Sequence, residues 1–479
     1  MPGVTFYRAV EDLIIVYVAL VNAAYFLLMM IGYFALAKES DPFSANELEV
    51  LLKSPFVPSV SVLAPAYNEA ATVRDSVRSM LRLRHPRHEV IVINDGSADG
   101  TLQALIEEFR LYRSSRVPLG EIPTAVVRGV YESRDPIPLV VIDKENGGKA
   151  DALNCGINYS RHELFAAVDS DSIIERDALL QISRPFLECP GETMAVGGMI
   201  RVANDCVIGQ GAVLAAGTPR NLLARFQIVE YLRAFLAGRS ALSFANTLLV
   251  ISGAFGMFRR AVVVEMGGYR VDTVGEDMEL VVRMHRYCGE RHLPCHIRFI
   301  SDSVCWTEAP ESVRVLRRQR IRWQRGCLEC LLFHKRLIGN ARFGAVGLIG
   351  LPYFVTCEVI GPVVEVAGYL ATLAGLLLGL LSVSSALLFF AVSVLFGLLL
   401  SVGSVLLEES TVSKYPNPRD LVRLLLAGLI ENLGYRQITL VWRVQAILQV
   451  VMKTKRSWGE MERRGFQRAG RERPLGPAA

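Results

Sequence analysis

Asp169-Ser170-Asp171 places two hard oxygen ligands one residue apart, a donor set that suits Mg²⁺ or Mn²⁺ shared with a diphosphate. Adjacent carboxylates recur in Gly275-Glu276-Asp277, ahead of a helical run containing Leu280, Val281 and Met284. Helix capping is the plain structural reading of that pair. The chemical reading is a general base, Glu276 or Asp277 taking the proton of an acceptor hydroxyl. Lys149 follows the flexible turn Gly147-Gly148 and can neutralise phosphate. Neither a Walker A pattern nor a dinucleotide fingerprint is present; Leu214 stands where the third glycine after Gly209 and Gly211 would be needed. The most specific pattern is Gln319-Arg320-Ile321-Arg322-Trp323, inside a basic stretch over residues 311–335. On a helix, Gln319, Arg322 and Trp323 share one face. That face offers an amide, a guanidinium fork suited to pyrophosphate, and an indole that can stack on a sugar ring. The competing reading is a membrane-surface helix with Val313, Leu316, Leu328 and Leu331 towards lipid.

These groups need a scaffold that brings them together. Strands are predicted at 59–64, 89–93, 139–142 and 164–168, most of them followed by a helical pattern. Repeated βα units build a mainly parallel, Rossmann-like sheet, whose ligands sit beyond the carboxyl ends of the strands. Polar clusters follow each strand: Tyr67, Asn68 and Glu69; Asn94 and Asp95; Asn146 to Lys149; Asp169 to Asp171. One such cluster is explained by an Asx-turn or a helix cap. Four at the same edge read as a site, with Asp95 placed to contact a nucleoside.

Of the 479 residues 51% are hydrophobic and 21% charged, so part of the chain is expected in lipid. Residues 13–37 are apolar, uncharged and long enough to cross a bilayer. Glu11 and Asp12 before this run favour an anchor over a cleaved signal. Residues 343–381, interrupted by Glu358 and Glu365, and 384–407 are further membrane candidates. Residues 420–452, broken by Glu431, Asn432, Arg436 and Arg443, read as a helical hairpin or an interfacial pair, with Glu431 and Asn432 in a turn. Residues 222–236 form another amphipathic stretch expected near the bilayer, with Leu222, Phe226, Val229 and Leu236 on one side. The expected organisation is an anchor (1–40), a soluble domain ending in the basic interfacial helix (41–340), transmembrane and interfacial helices (341–453) and a basic tail (454–479). The positive-inside rule puts tail and soluble domain in the cytoplasm, with two or four crossings between them. A net charge of +5 disfavours nucleic acid as a partner. Nine cysteines fit reduced thiols rather than a disulfide framework, and Cys327-x-x-Cys330 lacks the second pair a zinc site needs.

Taken in order, P-A-Y-N-E (65–69), I-N-D-G-S (93–97), D-S-D, G-E-D and Q-R-I-R-W resemble the motifs of processive, membrane-embedded family-2 inverting glycosyltransferases, the hyaluronan, chitin, cellulose and poly-N-acetylglucosamine synthases. The resemblance covers most of the chain. It implies an α/β GT-A domain with transmembrane and interfacial helices, in a multi-pass protein of the plasma (inner) membrane. It also implies a UDP-sugar donor, UDP-GlcNAc or UDP-glucose, bound by Tyr67, Glu69 and Asp95, with Lys149, Asp169 and Arg322 near the diphosphate. Asp169 and Asp171 match the metal-binding pair and Asp277, beside Glu276, the catalytic base. Ser252-Gly253 matches the wall that meets the acceptor, and Gln319 and Trp323 its platform. G-E-D replaces the T-E-D of cellulose synthases, and S-G-A-F-G-M-F-R-R (252–260) is closer to the hyaluronan and poly-N-acetylglucosamine branch. The implied acceptor is a growing β-linked glycan, with export through the membrane helices and a second export subunit left open. Two alternatives stand beside it: transfer of one sugar to a lipid acceptor, and an inactive nucleotide-sugar-binding scaffold.

Overall fold

The computed structural model describes residues 2–39, 45–120, 122–209, 211–415 and 417–454. The expected basic tail lies outside the described residues except for Thr454.

The described residues form twelve strands: β1 (Val60–Ala66), β2 (His88–Asp95), β3 (Leu111–Arg113), β4 (Val127–Ser133), β5 (Leu139–Lys144), β6 (Leu164–Val168), β7 (Ile173–Ile174), β8 (Thr193–Val202), β9 (Val207–Gly209), β10 (Ala212–Ala215), β11 (Phe255–Arg259) and β12 (His296–Thr307). Ten of them make one sheet in the order β3-β4-β5-β2-β1-β6-β11-β8-β12-β7, and β9 and β10 pair separately. At its centre β5, β2, β1 and β6 run parallel, so the carboxyl ends of all four predicted strands reach the same edge. β11 is antiparallel to β6 and β8, and β8 and β12 are again parallel. The central strands are buried on both faces, which is why they read as nearly unbroken Val, Ile, Leu and Ala runs. β1, β2 and β5 extend two residues beyond their expected ends. In β2 and β5 the reason is visible: Asn94 and Asp95 stay in register with Asp143 and Lys144, and their side chains pair across the ladder.

Among the described residues three helical stretches are long and apolar enough to cross a membrane: Tyr7–Lys38, Val346–Leu377 and Val383–Thr411. The first belongs to the helix Pro2–Glu39, which packs against the other two. The second is irregular. Pro352 and Pro362 each remove a backbone donor, and wide π turns occupy Val346–Gly350 and Phe354–Ile360 before the regular helix Gly361–Leu377. Residues 420–452 resolve into two helices, Pro418–Ile430 and Tyr435–Val451. Glu431 and Asn432 lie in the turn between them, both buried, while Leu433 beside them is exposed. Glu431 accepts from Arg233 at 2.6 Å and from the Ser401 hydroxyl.

The basic helix spans Val313–Phe333. Of the apolar residues of the membrane-surface reading, Leu316 and Leu331 are buried, Leu331 among Met278 and Val282, Leu328 is partly buried and Val313 is exposed. Helices Glu276–Arg291 and Tyr435–Val451 lie against it.

Candidate active site

The loop after β1 is held by the loop after β2. Ser97 Oγ accepts from Asn68 N–H at 3.0 Å, Asn68 Oδ1 from Ala98 N–H at 2.9 Å, and Thr101 Oγ1 from Glu69 N–H at 2.9 Å. Asn68 adopts a left-handed backbone (φ 56°), a conformation asparagine tolerates better than most residues. Tyr67 is thereby left exposed at the strand end, while the Glu69 carboxylate accepts from Thr72 Oγ1 at 2.8 Å.

Asp95, at the end of β2, is almost fully engaged by protein. Its carboxylate accepts from Lys144 Nζ at 2.6 Å, Gly147 N–H at 3.0 Å and Gly148 N–H at 2.8 Å. Lys144, wholly buried, also pairs with Asp151 at 2.6 Å. Burial pulls the Lys144 ammonium down, but its hydrogen bonds to Asp151 and Asp95 outweigh that and raise its pKa. Asp95 therefore fixes the 146–148 turn that launches the helix Lys149–Tyr159 and aims Lys149.

The Lys149 ammonium meets Asp169 Oδ1 at 2.5 Å and Gly253 O at 3.1 Å. Through Gly253 the contact reaches the G-E-D motif, because Gly253 N–H donates to Asp277 Oδ2 at 3.2 Å. One residue's peptide groups thus join the D-x-D lysine to the expected base. Asp277 Oδ1 accepts from Met278 N–H at 2.8 Å, so the carboxylate does contribute to the helix start, as the capping reading expects, while still facing the cavity. Asp169 and Asp171 present carboxylate oxygens at the cavity wall, hard donors of the kind that Mg²⁺ or Mn²⁺ takes. A softer group, Cys189, Glu192 and His296, brings its ligand atoms within 4.8 Å of one another at the amino ends of β8 and β12, the opposite end of the sheet.

Glu276 is buried beside Asp277. Burial first, and the Asp277 charge second, push its carboxyl up to about 7, against a smaller lowering by Lys149. The folded chain therefore keeps a proton on Glu276 that the unfolded chain releases. The stability this contributes is full below pH about 4.5 and is lost as pH rises through about 7. Glu276→Gln should remove that slope. Apparent melting temperatures across pH 4 to 8 are expected to show the wild type losing ground to the variant as pH rises; parallel curves would contradict it.

The basic helix approaches the G-E-D loop at two glycines. A Cβ on Gly275 would lie 2.7 Å from Gly326 Cα, and one on Gly326 equally close to Gly275 Cα. Glu329 ties the same loop down, accepting from Thr273 Oγ1 at 3.1 Å and Val274 N–H at 3.3 Å. Gly326→Ala is expected to cost about 1–3 kcal/mol by overpacking and, because the strain falls next to Glu276 and Asp277, to lower kcat. Thermal unfolding and steady-state kinetics of the variant check both.

All thirteen residues expected from the sequence to bind or react, Tyr67, Glu69, Asp95, Lys149, Asp169, Asp171, Ser252, Gly253, Glu276, Asp277, Gln319, Arg322 and Trp323, line one cavity of about 1560 Å³. Gln319 is buried and Trp323 is 40% exposed. The cavity continues between the apolar helices, past Tyr25, Glu358, Glu365, Leu400, Glu431 and Arg436. Its charged residues there are paired: Arg443 with Glu358 at 2.6 Å, Arg436 with Glu365 at 3.3 Å, Arg233 with Glu431 at 2.6 Å. Sequence reasoning missed Arg233, Glu230, Tyr231 and Arg239, which also line it, and assigns no role to Arg320 beside them. Arg320 pairs with Glu230 at 2.7 Å and lies over the Trp323 ring at 4.3 Å.

Residues 164–406 match the family model described as Glycosyl transferase family group 2, and residues 61–118 the one described as Glycosyl transferase family 2. A poly-beta-1,6-N-acetyl-D-glucosamine synthase of Staphylococcus epidermidis is 29% identical over 311 residues, 64% of this chain and 63% of that protein. One from Staphylococcus aureus (strain COL) is 26% identical over 314 residues, 65% of this chain and 63% of that protein. The alignments thus span less than two thirds of these relatives' length. Among solved structures, a mannosyltransferase of Pyrobaculum calidifontis, in complex with GDP-Man and Mn²⁺, superposes with TM-score 0.52 at 18% identity, over 88% of this chain and 99% of that one. It shares the fold, and the expected α/β GT-A architecture holds.

Proposed function

This chain is a member of glycosyl transferase family group 2, and from that premise we propose that it extends a β-linked polysaccharide, transferring N-acetylglucosamine from UDP-GlcNAc with inversion. The observation that carries the reading is the Lys149–Gly253–Asp277 connection, which sets a diphosphate-neutralising cation and a general base on the two peptide groups that flank one glycine. The acceptor hydroxyl oxygen attacks the anomeric carbon, its proton passes to Asp277, and the bond from that carbon to UDP breaks. Lys149 and Arg322 offset the charge that develops on the leaving diphosphate. Asp169 and Asp171 would hold Mg²⁺ or Mn²⁺, which when bound supplies further neutralisation of the diphosphate. Tyr67, Glu69 and Asp95 bound the nucleoside end, Asp95 chiefly by holding the 146–148 turn. Trp323 and Gln319 carry the acceptor, and Ser252-Gly253 walls it. The relatives named for poly-beta-1,6-N-acetylglucosamine synthesis favour this sugar over glucose.

The continuation of the cavity between the apolar helices favours a polymer over single transfer to lipid, because a polar path with paired charges suits a chain of hydroxyl and amide groups leaving the site. On this reading the catalytic domain faces the cytoplasm and the product leaves across the plasma membrane. The test incubates full-length protein in detergent with Mg²⁺ or Mn²⁺ and a panel of UDP-sugars. UDP release is measured, and the product is sized and digested with linkage-specific glycosidases. Release from UDP-GlcNAc with a polymeric product is expected; a short glycolipid product removes processivity, and no UDP release from any donor removes the enzyme.

A further inference from the structure

The helix Leu222–Tyr231 continues as a π turn over Leu232–Arg239. π turns are rare and concentrate at functional sites. This one is seated on the first membrane helix at Gly32, where a Cβ would lie 2.4 Å from Ala237 O. The seat sends Arg239 into the cavity. The side chain is 92% buried by its 8% exposure, and its Nη1 is enclosed without a hydrogen-bond partner. Among the described residues no carboxylate lies within 4.0 Å of it, whereas Arg233, Arg320, Arg436 and Arg443 in the same cavity are each ion-paired. A buried guanidinium with an idle donor is costly unless something pairs with it.

Its surroundings say what that is. The Trp323 ring lies 6.4 Å from Tyr231, Tyr231 lies 4.7 Å from Phe235, and the Arg239 guanidinium stands 3.9 Å over the Phe235 ring. An aromatic strip therefore runs from the platform expected beneath the acceptor and ends under a cation. Asp277 is the carboxylate that acts on Arg239 electrostatically; burial still draws its pKa down to about 10. Asp277 marks the acceptor side of the site, whereas the D-x-D pair marks the donor side. We infer that Arg239 is an acceptor-binding residue whose guanidinium donates to the 2-acylamino carbonyl oxygen of a hexosamine ring stacked on the Trp323–Tyr231–Phe235 strip. This rests on the proposed transfer to an N-acetylhexosamine chain and adds how the site recognises the acyl group. A glucosamine ring lacking the acyl group would bring an ammonium towards Arg239, so the residue selects acetylated over deacetylated ends.

The test uses full-length protein in detergent with UDP-GlcNAc as donor, comparing N-acetylglucosamine oligosaccharides with their deacetylated counterparts as acceptors. Arg239→Gln is expected to raise KM for the acetylated acceptor about 10- to 100-fold. The same variant should lower KM for the deacetylated one and leave the KM for UDP-GlcNAc within about twofold. Arg239→Lys, which keeps the charge, should retain part of the preference, and its melting curve checks folding should the Gln variant fail to fold. A rise confined to the donor KM would move the contact to the donor's acyl group and overturn the acceptor assignment. Equal losses with both acceptors would leave Arg239 a structural role only, and a preference for uronate-ended oligosaccharides would overturn the amide assignment. Turnover of UDP-GlcNAc by the wild type separates these failures from failure of the polysaccharide reading, which would show as UDP release from other donors alone.

Discussion

On the proposed reading, Asp277→Asn is expected to lower kcat by about 10²- to 10⁴-fold, the range general-base catalysis supplies, while the proposed donor, UDP-GlcNAc, binds within about threefold of its wild-type affinity. Two effects compete in this substitution, and their sizes separate them. Asn is nearly isosteric, but its amide offers one oxygen where the carboxylate serves two N–H groups, Gly253 at 3.2 Å and Met278 at 2.8 Å. One hydrogen bond of about 1 kcal/mol is therefore lost, equivalent to roughly fivefold, which is too little to account for the expected loss. The remainder measures removal of the proton acceptor. Donor affinity is largely spared because Lys149 keeps its direct partner Asp169, whose charge acts on it more strongly than that of Asp277. Single-turnover kinetics with equilibrium UDP binding distinguishes the cases: more than a tenth of wild-type turnover would remove Asp277 as the base. An unchanged biological output with no turnover in either protein would support the scaffold reading instead.

The residues that could be read from sequence are those whose position follows from a simple period. Asp169 and Asp171 follow a strand of unbroken apolar residues, and Gln319, Arg322 and Trp323 recur at i, i+3 and i+4 on a helix that is regular throughout. Asp95 was legible in place but not in detail. Its dominant partner, Lys144, lies 49 residues on in the neighbouring strand, where a lysine looks like a strand end rather than a buried ligand. Arg239 was hidden for a different reason. The 222–236 stretch has an α-helical period in sequence, but the π turn from Leu232 bonds i to i+5 and rotates the following side chains off that face. Glu431 resembled an interfacial turn residue because its partner, Arg233, lies on the same π turn, 198 residues earlier. Long-range pairs across irregular helices carry no local signal, and much of the cavity within the apolar helices is built from them.

Glu408→Ala destabilises the protein by about 3–5 kcal/mol, the cost of leaving a buried charge without its partner. Glu408 belongs to the apolar helix Val383–Thr411 and accepts both guanidinium nitrogens of Arg201, at 2.9 and 2.8 Å. Arg201 lies in β8, and both side chains are almost wholly buried. The pair is thus a direct fastening between the sheet that carries the site and a helix apolar enough to cross a membrane. Tyr415 stacks towards the guanidinium at 5.8 Å, and the Lys414 backbone N–H donates to Glu408 at 3.2 Å, so the carboxylate also organises the chain where the helix ends. Truncation to Ala removes all of these acceptors and leaves five guanidinium N–H donors in an enclosed space. The double replacement Arg201→Met with Glu408→Leu should recover most of the loss, because buried pairs exchanged together for apolar groups of similar volume are near neutral. Thermal unfolding of the two variants in detergent, alongside UDP release, checks this. If the Ala variant unfolds with the wild type, the sheet and the apolar helices are not coupled through this pair. If the double variant stays stable but loses turnover, the pair aligns the site with the apolar helices as well as fastening them.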